Sequence, residues 1–187
     1  GEVLISLVSS QPLPGLKQLA QQWVERWEQV KGVTLNLQPR RTNQILGPTT
    51  TVLAGDPVIR EQFCGLALEL STTTFFQINT PQAEAIVACI VSWLSQAKQQ
   101  GPIVDAYCGI GTISLPLAAQ GHRVVGLEIN PNSIEQAGRN ADANGLGPLT
   151  QFKAGDEVER LKDTLPGCSA LELDPPRRGL DSSVIEV

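Results

Sequence analysis

Four acidic residues, Asp105, Glu128, Asp156 and Asp174, each stand at or just past the end of a short apolar run, and Gly109 and Gly111 follow the first of them. Glycines without Cβ atoms let a cofactor approach the backbone closely. Thr112 is expected to open a helix whose unpaired N–H groups face that cofactor. Two cofactor classes compete for such a corner. A dinucleotide fingerprint needs a third glycine three places after Gly111, where Ser114 stands, and Asp105 would repel a phosphate. S-adenosylmethionine carries a sulfonium, an ammonium and a carboxylate but no phosphate. Asp105 can hold its ammonium, directly or through water, while the helix start accepts its carboxylate. Glu128 lies 17 residues after Gly111 and suits the two ribose hydroxyls. Asp156 can accept from the adenine amino group. Asp174-Pro175-Pro176 forms a stiff loop beside the cofactor, able to hold a planar substrate near the transferring methyl group. Any one of these acids reads equally well as a helix cap or a solvated loop residue; four along one edge favour a site.

The elements that must position them alternate regularly. Residues 103–107, 123–129, 149–153 and 170–173 are expected strands. Helices are expected from about 112 to 120, from Asn130-Pro131 to Asn144-Gly145, and briefly around Val158 and Leu161. Ligands of an open parallel sheet bind beyond its carboxyl ends. Thr80 is expected to cap a preceding helix with Pro81 at its first position, buried through Ile86, Cys89, Ile90, Trp93 and Leu94. Before it the pattern differs: a strand at 2–8, then a helix from Pro14 to Lys31-Gly32 with a core-facing stripe from Leu16 through Trp27 and Val30. Short strands follow at 33–37, 51–54, 58–63 and 65–70. The fold class is therefore α/β, a Rossmann-like parallel sheet over 75–187 preceded by a small α+β subdomain over 1–74.

The 187 residues suffice for one large domain or two small ones, and 41% hydrophobic residues imply a packed core. A net charge of −5 gives no general footprint for a polyanion, so nucleic-acid contacts must be local. Arg40 and Arg41 are such a patch, weighed equally with a solvated turn. No apolar run reaches membrane-spanning length, so no membrane partner is expected. Cys64, Cys89, Cys108 and Cys168 lack metal-site spacing and read as reduced, mostly buried thiols of a cytoplasmic protein, with Cys89 in the core and no metal bound.

Together, Phe75-Phe76-Gln77-Ile78-Asn79, the stretch from Asp105 to Thr112, Val125-Gly126-Leu127-Glu128 and Asp174-Pro175-Pro176-Arg177 resemble the RNA uracil-5-methyltransferase family. The likeness is greatest to the bacterial branch that modifies 23S ribosomal RNA, and Asn43-Gln44-Ile45-Leu46-Gly47 is similar to that family's central domain. The resemblance implies a class I methyltransferase fold, an RNA substrate (ribosomal rather than transfer RNA), and S-adenosylmethionine contacts from Gln77, Tyr107, Glu128 and Asp174. Thr112 and Asp156 match two further contact positions where the family often has asparagine. The family's cysteine thiolate adds to carbon 6 of a flipped-out uracil, carbon 5 takes the methyl group, and a carboxylate removes the carbon 5 proton.

Neither Cys108 nor Cys168 matches that nucleophile, which the resemblance places, with the base, beyond Val187. The chain then reads as a central fragment with a cofactor site and no catalytic residues of its own, its sheet truncated at the C-terminus. Its fourth strand is expected to be an open edge prone to self-association. An iron–sulfur cluster, where the family has one, would lie before Gly1. Three alternatives stay open: a nicotinamide-dependent oxidoreductase, a protein or base N-methyltransferase, and a non-catalytic RNA-binding module using Arg40, Arg41, Arg177 and Arg178.

Overall fold

The computed structural model describes residues 1–42, 44–95, 101–176 and 179–186. Expectations resting on Asn43, Arg177, Arg178 and Val187 fall outside the described residues. The chain divides into two compact units, Gly1–Glu61 with Glu69–Thr74, and Gln62–Leu68 with Phe75–Val187. The expected division after residue 74 differs from this one at Gln62–Leu68.

In the first unit, β1 (Val3–Ser9) leads through α1 (Leu16–Arg26) to β2 (Val30–Leu37), which pairs parallel to β1. β3 (Thr49–Gly55) adds antiparallel to β2. Ala20, Val30 and Val33 are the buried centre, with Ile5, Leu7, Trp23 and Val24 packed around them. The helix ends earlier than its apolar spacing suggests. Trp27 is already extended, and Val30 opens β2 opposite Val3. The three- and four-residue steps continue through Trp27 and Val30 because the next strand happens to begin with a buried valine. β4 (Val58–Phe63) and β5 (Leu66–Ser71) form a hairpin. Its two turn residues, Cys64 and Gly65, both adopt positive φ, 51° and 76°, the type I′ pattern that suits strand twist.

The second unit opens its helical run with α2 (Thr80–Ser95). Its cap is Asn79, one residue before the expected Thr80: the Asn79 side chain accepts from the Gln82 N–H, and its carbonyl accepts from Ala83. The helix is also rotated relative to the expected face. Ala83 and Val87 are buried, whereas Ile86, Trp93 and Cys89 are exposed. Cys89 is thus not a core residue. A helix with apolar residues on several faces does not reveal from spacing which face is covered.

The parallel sheet follows: β6 (Ile103–Ala106), α3 (Ser114–Ala119), β7 (Val124–Glu128), α4 (Pro131–Ala143), β8 (Thr150–Ala154), α5 (Glu157–Thr164), β9 (Ala170–Leu173) and a short α6 (Ser182–Ile185). The order is β8-β7-β6-β9. The chain steps outward from β6 to β8 and then returns to the far side of β6, so the order reverses between β6 and β9. All four positions of β6 and the first four of β7 are buried, as a sheet covered on both faces requires. Val104, Ala106, Val125, Leu127 and Leu161 form the core there. β9 stands at one end of this sheet. Among the described residues, no helix is long and apolar enough to cross a membrane.

Candidate functional site

Register decides which residues meet. Ala106 of β6 pairs with Leu127 of β7 and with Leu173 of β9, and Glu128 pairs with Ala154 of β8. The carboxyl ends are therefore level. Tyr107, Glu128 and Asp174 each follow a matched position by one residue, and Asp156 follows Ala154 by two. Three inter-strand steps of about 4.8 Å give this lip a width of about 14 Å, the scale of a nucleoside with a short tail. The order reverses between Tyr107 and Asp174, where open parallel sheets bind ligands.

The turn after β6 is built by specific bonds. Tyr107 has φ 68°, a left-handed conformation uncommon for a residue with a side chain, so the chain turns sharply as it leaves the strand. Gly109 and Gly111 continue at φ 55° and 91°. A Cβ on Gly109 would meet nothing within 4 Å, so the backbone there is open to an approaching group; one on Gly111 would stand 3.0 Å from Leu115 Cγ. The Gly111 N–H donates to the Cys108 carbonyl at 2.9 Å. Glu128 fastens the turn to β7. Its Oε2 accepts from the Gly109 N–H at 3.3 Å and its Oε1 from the Asn130 N–H at 2.9 Å. The regular helix starts at Ser114, two residues later than expected, so Thr112 belongs to the turn.

Asp105 differs most from its expected place. It is fully buried beneath the lip rather than displayed on it, and its Oδ2 accepts a 2.5 Å hydrogen bond from Ser114 Oγ. Ser114, which stands where a dinucleotide fingerprint has glycine, serves this carboxylate. Beside Asp105 in register on β9 is Glu172, hydrogen-bonded to it, and sequence reasoning passed Glu172 over. The signal was available: an acid at the second-last position of an otherwise apolar strand must point to one face, and register puts that face beside Asp105. Burial raises the Asp105 carboxyl to about 6, against the lowering effect of its bonds to Ser114 and Glu172. Burial, and then the negative charge of Asp105, raise Glu172 to about 9. Two adjacent carboxyls with this little water around them oppose each other's ionisation, and both are raised.

The other expected residues divide. Asp156 is exposed, and its Oδ1 caps α5 by accepting from Val158 and Glu159. Asp174 is exposed at the lip, followed by half-buried Pro175 and exposed Pro176, and the Gly179 N–H donates to the Pro176 carbonyl. Gln77 is exposed on the connector between β5 and α2, and no hydrogen bond among the described residues fastens its side chain to the lip. Cys108 lies in the turn, buried, and desolvation pushes its thiol well above the ordinary range, so it is held as an inert thiol. Gly126 of β7 backs the turn: a Cβ there would lie 2.6 Å from Phe152 Cδ1 and 2.8 Å from Cys108 Sγ. Among the described residues, no group of three metal-binding side chains could hold an ion.

A parallel sheet in this order, with a glycine turn after its first strand and an acid at the end of its second, is the class I methyltransferase fold. Solved structures share it. The Pyrococcus abyssi tRNA (uracil-54, C5)-methyltransferase, crystallised with S-adenosyl-L-homocysteine, superposes with TM-score 0.73 at 23% identity, over 99% of this chain and 43% of that one. The Methanocaldococcus jannaschii tRNA m1G37 methyltransferase superposes with TM-score 0.51 at 19% identity, over 84% of this chain and 46% of that one. The chain belongs to the tRNA (uracil-5-)-methyltransferase family, whose sequence profile matches residues 2–187. Similar sequences include an uncharacterized RNA methyltransferase of Parasynechococcus marenigrum, 80% identical over 186 residues, and one of Nostoc, 44% identical over 191 residues. Both matches cover the whole of this chain. The chain spans about 40% of the length of each.

Proposed function

We infer that this chain holds the S-adenosylmethionine site of an RNA uridine C5-methyltransferase. The observation that carries the reading is the level lip of β6, β7 and β9, which sets Tyr107, Glu128 and Asp174 around a glycine turn. The residues present fit the cofactor. Gly109 leaves room for close approach, Glu128 is already anchored where ribose hydroxyls can donate to its remaining lone pairs, and Oδ1 of Asp105 is a buried oxygen that no N–H or uncharged hydroxyl serves. When bound, the cofactor supplies an electrophilic methyl group on its sulfonium. The chain's own groups orient it: Glu128 and Tyr107 at the ribose, Asp156 toward the adenine, Asp105 beneath the ammonium, Asp174 and Gln77 toward methyl donor and target base, and Thr112 with Gly111 in the turn.

The target class is a uridine of RNA, and we assign it to ribosomal rather than transfer RNA, in the cytoplasm, on the strength of the motif resemblance. The catalytic thiol and base are assigned outside the four cysteines of this chain. Cys108 is buried and its thiol raised, and Cys64 is raised by burial and by Glu84. The side of β9 that no described strand pairs is assigned to strand pairing, with a second copy when nothing else covers it.

Calorimetry with S-adenosylhomocysteine tests the cofactor reading. Binding that weakens at least tenfold in Glu128→Ala supports it; a folded chain that binds S-adenosylhomocysteine no better than NADH refutes it. Methyl transfer by the whole gene product to 23S ribosomal RNA and not to transfer RNA tests the substrate assignment, and the reverse preference overturns it.

A further inference from the structure

The methyl-transfer machinery above gives Glu172 no part. Glutamate in a four-residue apolar strand, half-buried between Leu171 and Leu173 and beside Asp105, is an expensive choice unless it serves something. Its partner is specific. Asp105 and Glu172 are register partners on adjacent parallel strands, so their side chains emerge on the same face of the sheet. Oδ1 of Asp105 and Oε2 of Glu172 are both buried, and neither accepts from any N–H or from a serine, threonine or tyrosine hydroxyl. A single proton shared between them would satisfy both oxygens. Among the described residues, the surroundings add no positive charge. Of the described residues, α3 brings the Ser114 hydroxyl and the loop after β9 brings the Asp174 carboxylate. Cys108 in the turn feels Asp105, Glu128 and Glu172 but remains a neutral thiol. Among the described residues, no lysine, arginine or histidine acts on the pair.

We propose that Glu172 is a positioning residue for the amino-acid end of the cofactor: in the free chain its carboxyl donates a proton to Oδ1 of Asp105, and it releases that proton to solvent when a ligand ammonium docks against the pair. The inference rests on the cofactor reading above. Its balance is simple. Asp105 carboxylate, Glu172 carboxylic acid and a ligand ammonium become two carboxylates, the same ammonium and one proton in the buffer. No bond to carbon changes. The ammonium supplies the positive charge that the second ionisation requires, so binding and deprotonation are linked. The buried acid thereby discriminates between a nucleoside with a cationic tail and one without.

The test is calorimetry of the chain with S-adenosylhomocysteine, and with methylthioadenosine as the same nucleoside lacking the amino acid, in two buffers of different ionisation enthalpy from pH 7 to 8. For S-adenosylhomocysteine, buffer-dependent heat corresponding to release of up to one proton is expected, with affinity rising up to tenfold per pH unit. Methylthioadenosine binding is expected to release none. In Glu172→Gln, whose amide still donates to Asp105, both the buffer dependence and the pH dependence of S-adenosylhomocysteine binding should vanish. Binding without proton release, or equal release with methylthioadenosine, overturns the proposal and leaves the cofactor reading intact. A folded chain that binds neither compound overturns both. Should Glu172→Gln not fold, the comparison of the two ligands on the unaltered chain decides alone.

Discussion

Gly126→Ala is the most direct probe of how the sheet supports the turn. Gly126 lies in β7, the strand flanked by β6 and β8, where its main chain is held from both sides. An added Cβ would sit 2.6 Å from Phe152 Cδ1, 2.8 Å from Phe152 Cε1 and 2.8 Å from Cys108 Sγ. Ordinary contact begins near 3.4 Å, so the ring must retreat by about 0.8 Å and the thiol by about 0.6 Å. Phe152 is half-buried and can yield in part, whereas Cys108 is fixed in the turn by its N–H bond to the Leu127 carbonyl. Overpacking of this kind costs about 1–3 kcal/mol, and we expect about 2 kcal/mol here. Urea unfolding followed by far-UV circular dichroism, with hydrogen exchange by mass spectrometry, measures it. Exchange should accelerate in β6, β7 and β8 and stay unchanged in β1–β3. S-adenosylhomocysteine binding should weaken, because Cys108 moves with the turn. Trimming the ring in Gly126→Ala/Phe152→Leu should recover part of the loss. A single variant as stable as the parent, or a double variant less stable than the sum of its parts, would refute the packing argument.

Ser114→Ala removes the hydroxyl that serves buried Asp105 and should destabilise the chain by about 1.5–3 kcal/mol in urea titrations, as expected for a hydrogen bond to a charged group. The Asp105–Glu172 pair makes stability fall as pH rises. Both acids are raised above their ordinary values, to about 6 and about 9, so the folded chain holds a proton that the unfolded chain gives up, and stability present at acidic pH is lost through that window. The limiting slope is about 1.4 kcal/mol per pH unit, and partial solvent contact at Glu172 reduces it to roughly 0.5–1 between pH 7 and 8. Melts of Glu172→Gln across that range should be flatter than those of the parent; parallel curves would refute the shared proton. Cys64→Asn places a better left-handed former before Gly65 and should add about 0.5–1 kcal/mol, visible as a rise in melting temperature of a few degrees. Exposed Cys89 should react with a disulfide reagent at least tenfold faster than buried Cys108, a ratio that disappears in denaturant.

Sequence alone determined the framework of the second unit. Alternating apolar runs, the Asn130-Pro131 start and the Asn144-Gly145 stop fixed α4 and the strands to within a residue or two, because those signals are local: a side chain that caps, a ring that cannot donate, a glycine that turns. The same locality placed Glu128 and Asp174 at strand ends. Two kinds of feature needed the tertiary structure. One is the choice among competing faces and registers. The end of α1 at Arg26 depends on Val30 pairing with Val3, and the exposure of Cys89 depends on which side of α2 is covered. The other is electrostatic. Asp105 looks like a rim carboxylate until the register brings Glu172 beside it and Ser114 beneath it, after which it is half of a buried acid pair. Sixty-seven residues separate those two acids along the chain, and only a crossover that returns β9 to the free side of β6 makes them neighbours.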